Sequence, residues 1–289
     1  MFGHLIQIEQ TKLSRRLILW VEMGLLCGFF LLYYVGSVVA GWQPGVPLST
    51  SASPSLIAIV TWPRALIDIL TLISGNNLGG IVLMVLVAAV VAQEYQWNTI
   101  SLWLSRGTPR PLLLAARCAA LLLAVLLLMV VPLMVSGAVT GFLTMLINGK
   151  LDPGVVNYGQ LALGVARALI SALPYFAFTF MMATLTRSVA GGMGAGFAFT
   201  FVTEGVLPLL LQSIGAGDAM LYLPGMLAKS LLQLNSAIAN TALAALPTSD
   251  AGPASALADP TVAAVGLALY AVVFLGIAFY RFQRQDLSA

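Results

Sequence analysis

Charge is what this sequence has least of. Only 8% of its 289 residues are Asp, Glu, Lys or Arg, while 60% are hydrophobic. Soluble domains carry about 25% charged and about 45–50% apolar residues. A soluble protein of this size still needs a polar surface, so a soluble enzyme, a disordered chain and a disulfide scaffold are all excluded. Histidine occurs once, as His4 beside the N-terminus, where it reads as a solvated or interfacial residue. Intramembrane proteolysis needs a Ser–His pair, facing aspartates or a zinc site with paired histidines, and none of these sets is present. The two cysteines, Cys27 and Cys118, are far apart in apolar surroundings, with no metal or disulfide spacing. No G-x-x-x-x-G-K-[ST] loop occurs to cradle a nucleotide; Asn148-Gly149-Lys150-Leu151 lacks both the upstream glycine and the hydroxyl. No cofactor or metal is therefore expected in this chain. The net charge of +3 is dispersed along the chain, which excludes a nucleic-acid patch. The apolar run after Arg16 is too long for the core of a cleavable signal peptide.

Long apolar runs are what is there. A spanning helix needs about 20 apolar residues, because the hydrocarbon core is about 30 Å thick. Six stretches qualify: Leu17 to Ala40, Asn76 to Gln93, Leu112 to Ile147, Gln160 to Leu185, Ser188 to Leu211 and Thr261 to Tyr280. The second is short, and its helix is expected to begin earlier. The third is too long for one straight crossing, with Pro132 as the expected kink or start of an extension. Positive residues set orientation. With the N-terminus inside, Lys12, Arg15, Arg16, Arg106, Arg110, Arg117, Arg187, Arg281 and Arg284 fall on the cytoplasmic side, and Arg64, Lys150 and Lys229 outside. The fold class is thus an all-α polytopic membrane bundle of about six transmembrane helices, both termini cytoplasmic, with interfacial and re-entrant helices. Residues 1–16 form a cytoplasmic interfacial helix and 17–289 one transmembrane domain, with external segments 41–75, 148–159 and 212–260 and a cytoplasmic loop over 94–110.

Two external segments are more than connectors. In TWPRALIDILTLIS, Leu66, Ile67, Leu70 and Ile73 share helical spacing after Pro63, which predicts a short amphipathic helix on the outer interface. Residues 220–245 are too polar for a clean crossing and too apolar for a loop, which predicts a re-entrant or interfacial helical pair, with a seventh span as the alternative. Within the spans, charges are costly and draw a functional reading. Glu22, Arg167 and Glu204 qualify; Glu22 could instead snorkel to the inner interface, and Glu204 could be an interhelical partner. Gly24/Gly28, Gly137/Gly141 and Gly192/Gly196 are small pairs four apart, spaced for close helix approach.

The most informative segment is EYQWNTISLWLSRGTPRPLLLAAR, Glu94 to Arg117. Trp97, Ile100 and Leu104 share a helical face with polar residues interleaved, which predicts an amphipathic helix at the inner surface, either an interfacial anchor or a docking helix. This segment resembles the first cytoplasmic loop of membrane subunits of ATP-binding-cassette transporters, type-two permease class. Glu94-Tyr95, Thr99-Ile100, Arg110 and Arg117 stand at that family's acidic-aromatic, Thr-apolar and basic places, with arginine where lysine is common at the last. Leu5 to Arg16 and the ending Phe279-Tyr280-Arg281-Phe282 also match.

The resemblance implies two permease subunits, as a homodimer or related heterodimer, above separate cytoplasmic ATPase subunits that bind ATP and Mg. It implies a multi-pass protein of a prokaryotic plasma membrane, a non-enzymatic transport subunit. It assigns coupling to Glu94, Tyr95, Trp97, Thr99, Arg106 and Arg110. The translocation surface would come from the first, second and fifth spans, with Glu22, Glu204, Gly192 and Gly196 as candidates. Two other classes stay open: a non-transporting membrane scaffold, and an ion-coupled secondary transporter using Glu22 and Glu204 as relay groups.

Overall fold

The computed structural model describes residues 2–41, 59–97, 109–239 and 258–284. It is an all-α bundle, and six of its helices are long and apolar enough to cross a membrane. Helix α1 (Phe2–Arg15) precedes the first span, α2 (Leu17–Gly41). A short helix α3 (Arg64–Leu72) leads to the second span, α4 (Leu78–Gln96). The third and fourth spans are α5 (Arg110–Asn148) and α6 (Tyr158–Thr186). The fifth, α7, runs over Val189–Ser213; a short helix α8 (Pro224–Leu232) and the sixth span, α9 (Pro260–Arg284), complete the order.

The fourth span is the hub, packed against α4, α7 and α9, while α5 carries α1, α2 and α3. Burial follows this plan: 67% of the α6 window and 61% of the α4 window are buried, against 17% in α2 and 11% in α7. The outer spans show lipid a nearly continuous apolar face. The first span packs through a stripe at helical spacing, Leu19, Glu22, Leu26, Phe30 and Tyr34, all buried. The polar member of that stripe is Glu22, so it does not snorkel to the interface.

Three expectations are corrected, and the third span continues past Pro132 as the extension alternative had it. Helix α3 forms where the apolar spacing places it, but it is packed into the bundle and does not rest on one apolar face. Ala65, Leu66, Ile67, Ile69 and Leu70 are all buried, more of the circumference than one interfacial stripe covers. Trp62 seats the helix: its indole Nε1 donates to Gly137 O at 3.1 Å and Thr140 Oγ1 at 3.0 Å, over the glycine surface of α5. Residues 59–75 therefore belong to the bundle. The second span does not begin earlier; it starts at Leu78, after a break in which a Cβ on Gly80 would lie 1.7 Å from Gly75 O. Only glycine permits that approach.

The third span runs through Pro132 as one helix of 39 residues. At about 1.5 Å per residue it exceeds the hydrocarbon thickness by far, and its surplus turns are where Trp62 docks. Finally, the segment before the last span holds one α-helix, α8, between two 3₁₀ turns, Gly217–Tyr222 and Gln233–Ile238. Among the described residues this stretch is neither two α-helices nor one continuous span, and residues 240–245 of the expected pair lie outside the described residues.

The fifth span is interrupted by a π-helical turn, Phe201–Val206. Pro208 explains it. Proline has no N–H for the carbonyl four residues back, that of Glu204, and its ring crowds the same carbonyl. Upstream, Gly192 and Gly196 are packing positions. A Cβ on Gly192 would meet Ala183 Cβ at 2.9 Å and Ala88 Cβ at 3.1 Å, whereas one on Gly194 would meet nothing within 4 Å. Gly192→Val should destabilise the bundle by about 1–3 kcal/mol through overpacking. Gly194→Ala should be neutral or slightly stabilising through helix propensity. Thermal unfolding in detergent measures both; equal effects would refute the packing assignment.

Candidate functional site

The basic face of the bundle is organised around the end of the second span. Glu94 lies in the last turn of α4 and is 2% exposed. One carboxylate oxygen accepts from Arg16 Nη2 at 3.2 Å, and the other pairs with Arg117 Nη2. Arg16 occupies the break between α1 and α2, and Arg117 lies two turns into α5. One carboxylate thus joins three spans. Arg16 also donates to Val90 O at 3.3 Å and Gln93 Oε1 at 3.4 Å. Its positive charge thereby sits at the negative end of α4, where cations are favoured. The Arg16 guanidinium lies 5.4 Å from the ring centre of Trp97, which follows α4 and is exposed. A second pair, Lys12 Nζ to Glu9 Oε1 at 2.7 Å, adjoins this cluster on α1, with Glu9 buried.

Successive helical residues point about 100° apart, so Tyr95 faces another way from Glu94. Its ring lies 5.9 Å from the Arg187 guanidinium. Arg187 ends α6 in a left-handed conformation, φ 54° and ψ 22°, at the turn into the fifth span. Glu94 and Tyr95 together therefore touch the inner ends of the first, third, fourth and fifth spans. The sixth is tied in by Arg110, whose Nη1 donates to Gln283 O at 3.0 Å. Of the expected coupling set, Glu94, Tyr95 and Trp97 converge, Arg110 instead fastens the last helix, and Thr99 and Arg106 lie outside the described residues.

The translocation candidates do not form one site. Glu22 is buried in the seam facing α5, with no hydrogen bond to its carboxylate among the described residues. Gly192 and Gly196 are consumed in helix packing. Glu204 sits in the π-helical turn and accepts from the Tyr175 hydroxyl of α6. Arg167 is no free intramembrane charge. Its guanidinium donates to Leu234 O at 3.2 Å, Asn235 Oδ1 at 3.1 Å and Gln160 Oε1 at 2.9 Å.

Sequence reasoning missed Arg16 as a ligand of Glu94. It reads as a basic stop to the first helix, and only the three-dimensional return of α4 reveals the pairing. Tyr175 was missed as well; the signal that could have found it is a phenol in mid-span, which needs a partner.

A family model described as "Protein of unknown function (DUF2705)" matches residues 76–288. No curated protein matches the chain.

Removing one partner of a buried ion cluster leaves the others uncompensated, at about 3–5 kcal/mol, whereas exposed pairs contribute at most about 1 kcal/mol. Glu94→Gln should therefore lower bundle stability by the larger amount. Asp68→Asn, at the Arg64–Asp68 pair of 3.2 Å whose side chains are 22% and 23% exposed, should cost less than Glu94→Gln, because water reaches that pair and screens it. Denaturant titration in mixed micelles compares them, and equal losses would show that Glu94 is not an ion-cluster centre.

Proposed function

The chain belongs to this family of proteins of unknown function, so no activity comes to it by membership, and we propose one from its own geometry: a permease subunit of an ATP-driven exporter. A separate ATPase, holding ATP and Mg, would dock on the inner loop over 94–110, and a second permease subunit would complete the pathway. The protein would work in a prokaryotic plasma membrane, as the resemblance of the loop implies.

The observation that carries this reading is the placement of Glu94 and Tyr95. The loop emerges directly from the turn at which the inner ends of five spans meet. A partner that displaces the loop therefore acts on all five at once. A protein partner shifts a two-state element only through better binding to one state, and a buried charge cluster repacks between discrete arrangements. Trp97 is exposed and braced by Arg16, which gives the loop a rigid aromatic contact for a partner. The first and fifth spans are the least buried and both border α4. Gly24 and Gly28 face away from the bundle with nothing packed on them, which suits a second subunit.

Affinity purification in mild detergent followed by mass spectrometry tests the assignment. An ATPase with a phosphate-binding loop should copurify in fixed ratio and be stimulated by the permease. Trp97→Ala should reduce that stimulation on the order of tenfold, equivalent to one lost aromatic contact of about 1–2 kcal/mol, without lowering the melting temperature of the bundle. Transport by the purified chain alone, or fixed-ratio partners without an ATPase, would overturn the proposal.

A further inference from the structure

Opposite the basic face, residues 217–239 form a strap across the outer ends of the spans. It consists of the turn Gly217–Tyr222, helix α8 and the turn Gln233–Ile238. The fourth span holds its far end: Arg167 binds Leu234 O and Asn235, and Asn157 N–H donates to Ile238 O at 2.8 Å. The sixth span holds its near half, with Leu227 over Gly266 and the Tyr270 hydroxyl donating to Tyr222 O at 3.3 Å. The fifth span reaches it through Glu204. A Cβ on Gly225, in the first turn of α8, would lie 3.0 Å from Glu204 Cδ, so the carboxylate rests against the N-terminal, electropositive end of that helix. Lys229 follows one turn later. The same carboxylate accepts from Tyr175.

Glu204 does not sit on a plain helix. It lies in the π-helical turn Phe201–Val206, which holds one residue more than an α-turn would. Returning that turn to α-register rotates the flanking segments by about 100° relative to each other. The turn is well satisfied as it stands: Leu207 N–H donates to Val202 O, and the Thr203 hydroxyl donates to Phe199 O at 2.8 Å. Pro208 disfavours the α-register, because its ring would crowd the Glu204 carbonyl.

We propose that Glu204 is a latch: in the π-register it fastens α8 to the fifth and fourth spans, and a shift to α-register swings it away and frees the strap's near half. The far half stays hinged on Arg167. The latch is a positioning device in the outer half of the protein, and nothing in it depends on what binds the basic face.

Hydrogen exchange read by mass spectrometry on the full chain in nanodiscs tests this. Glu204→Gln replaces the carboxylate by an amide, Gly225→Ala pushes α8 off the side chain of residue 204, and Pro208→Ala leaves Glu204 and Gly225 unsubstituted but permits the α-register. All three should raise exchange over 217–232 by about tenfold or more, with 233–239 and the fourth span at wild-type rates, as expected of a local opening unit. Arg167→Gln should do the converse, raising exchange over 233–239. Wild-type exchange over 217–232 in Glu204→Gln and Gly225→Ala would overturn the latch, as would a uniform rise through all spans. Wild-type exchange in Pro208→Ala alone would overturn the register switch.

Discussion

A carboxylate shared by two guanidinium groups fixes the inner plane of this protein. Helices in lipid gain little from apolar contact with each other, since lipid tails are as apolar as leucine. Polar contacts therefore decide how far one helix slides along another. Glu94 sets that register for the first three spans, because Arg16 and Arg117 reach it from the start of α2 and from α5. The cluster sits at the end of α4, not at its middle, where desolvation of three ions would outweigh their attraction. Tyr95 and Arg187 extend the same plane to the fourth and fifth spans, and Arg110 extends it to the sixth.

The outer half is held by different physics. Its contacts are close backbone approaches and single hydrogen bonds around one cation: Trp62 on the glycine face of α5, Leu70 against Gly164, and the Arg167 guanidinium on carbonyls of the strap. These depend on shape, so they tolerate movement of a whole element but not insertion of a side chain. The inner half depends on charge, so it resists separation but can exchange partners, with Lys12–Glu9 adjoining Arg16–Glu94. One end is thus suited to receiving a push and the other to opening in one piece.

The spans were legible in the sequence because hydrophobic length is a property of single segments. All six crossings emerge where the apolar runs place them, and Arg16, Arg117 and Arg187 meet the end of α4 while Arg110 meets the end of α9. Helix α3 and the strap were legible as structured but not as buried, since burial depends on which neighbours return beside them. The π-helical turn left only Pro208 as its mark, and a proline near a helix end has many readings. Among site residues, Glu94 stood out by its place at the end of a span. Its ligand Arg16 did not, because it lies 74 or more positions along the chain from the groups it binds. Gly192 and Gly196 were read both as packing and as pathway residues; only the positions of Ala88 and Ala183 beside the first, and of Thr179 and Met84 beside the second, reveal the packing.

The two halves are physically contiguous. From Glu94 the second span runs outward as one largely buried helix to the break at Ser74–Asn77. At that break a Cβ on Gly75 would lie 2.5 Å from Ala172 Cα and 2.8 Å from the Tyr175 ring. Tyr175 is the residue whose hydroxyl binds Glu204, and Glu204 rests on Gly225 of the strap. A tilt of α4 at its charged end is therefore levered, about a helix length away, onto the aromatic ring that positions Glu204. Contiguity alone is not coupling. What coupling requires is a second arrangement at each end: the register shift proposed for the Phe201–Val206 turn, and an exchange of partners between the adjoining pairs Lys12–Glu9 and Arg16–Glu94, joined by a helix too tightly packed to absorb the motion.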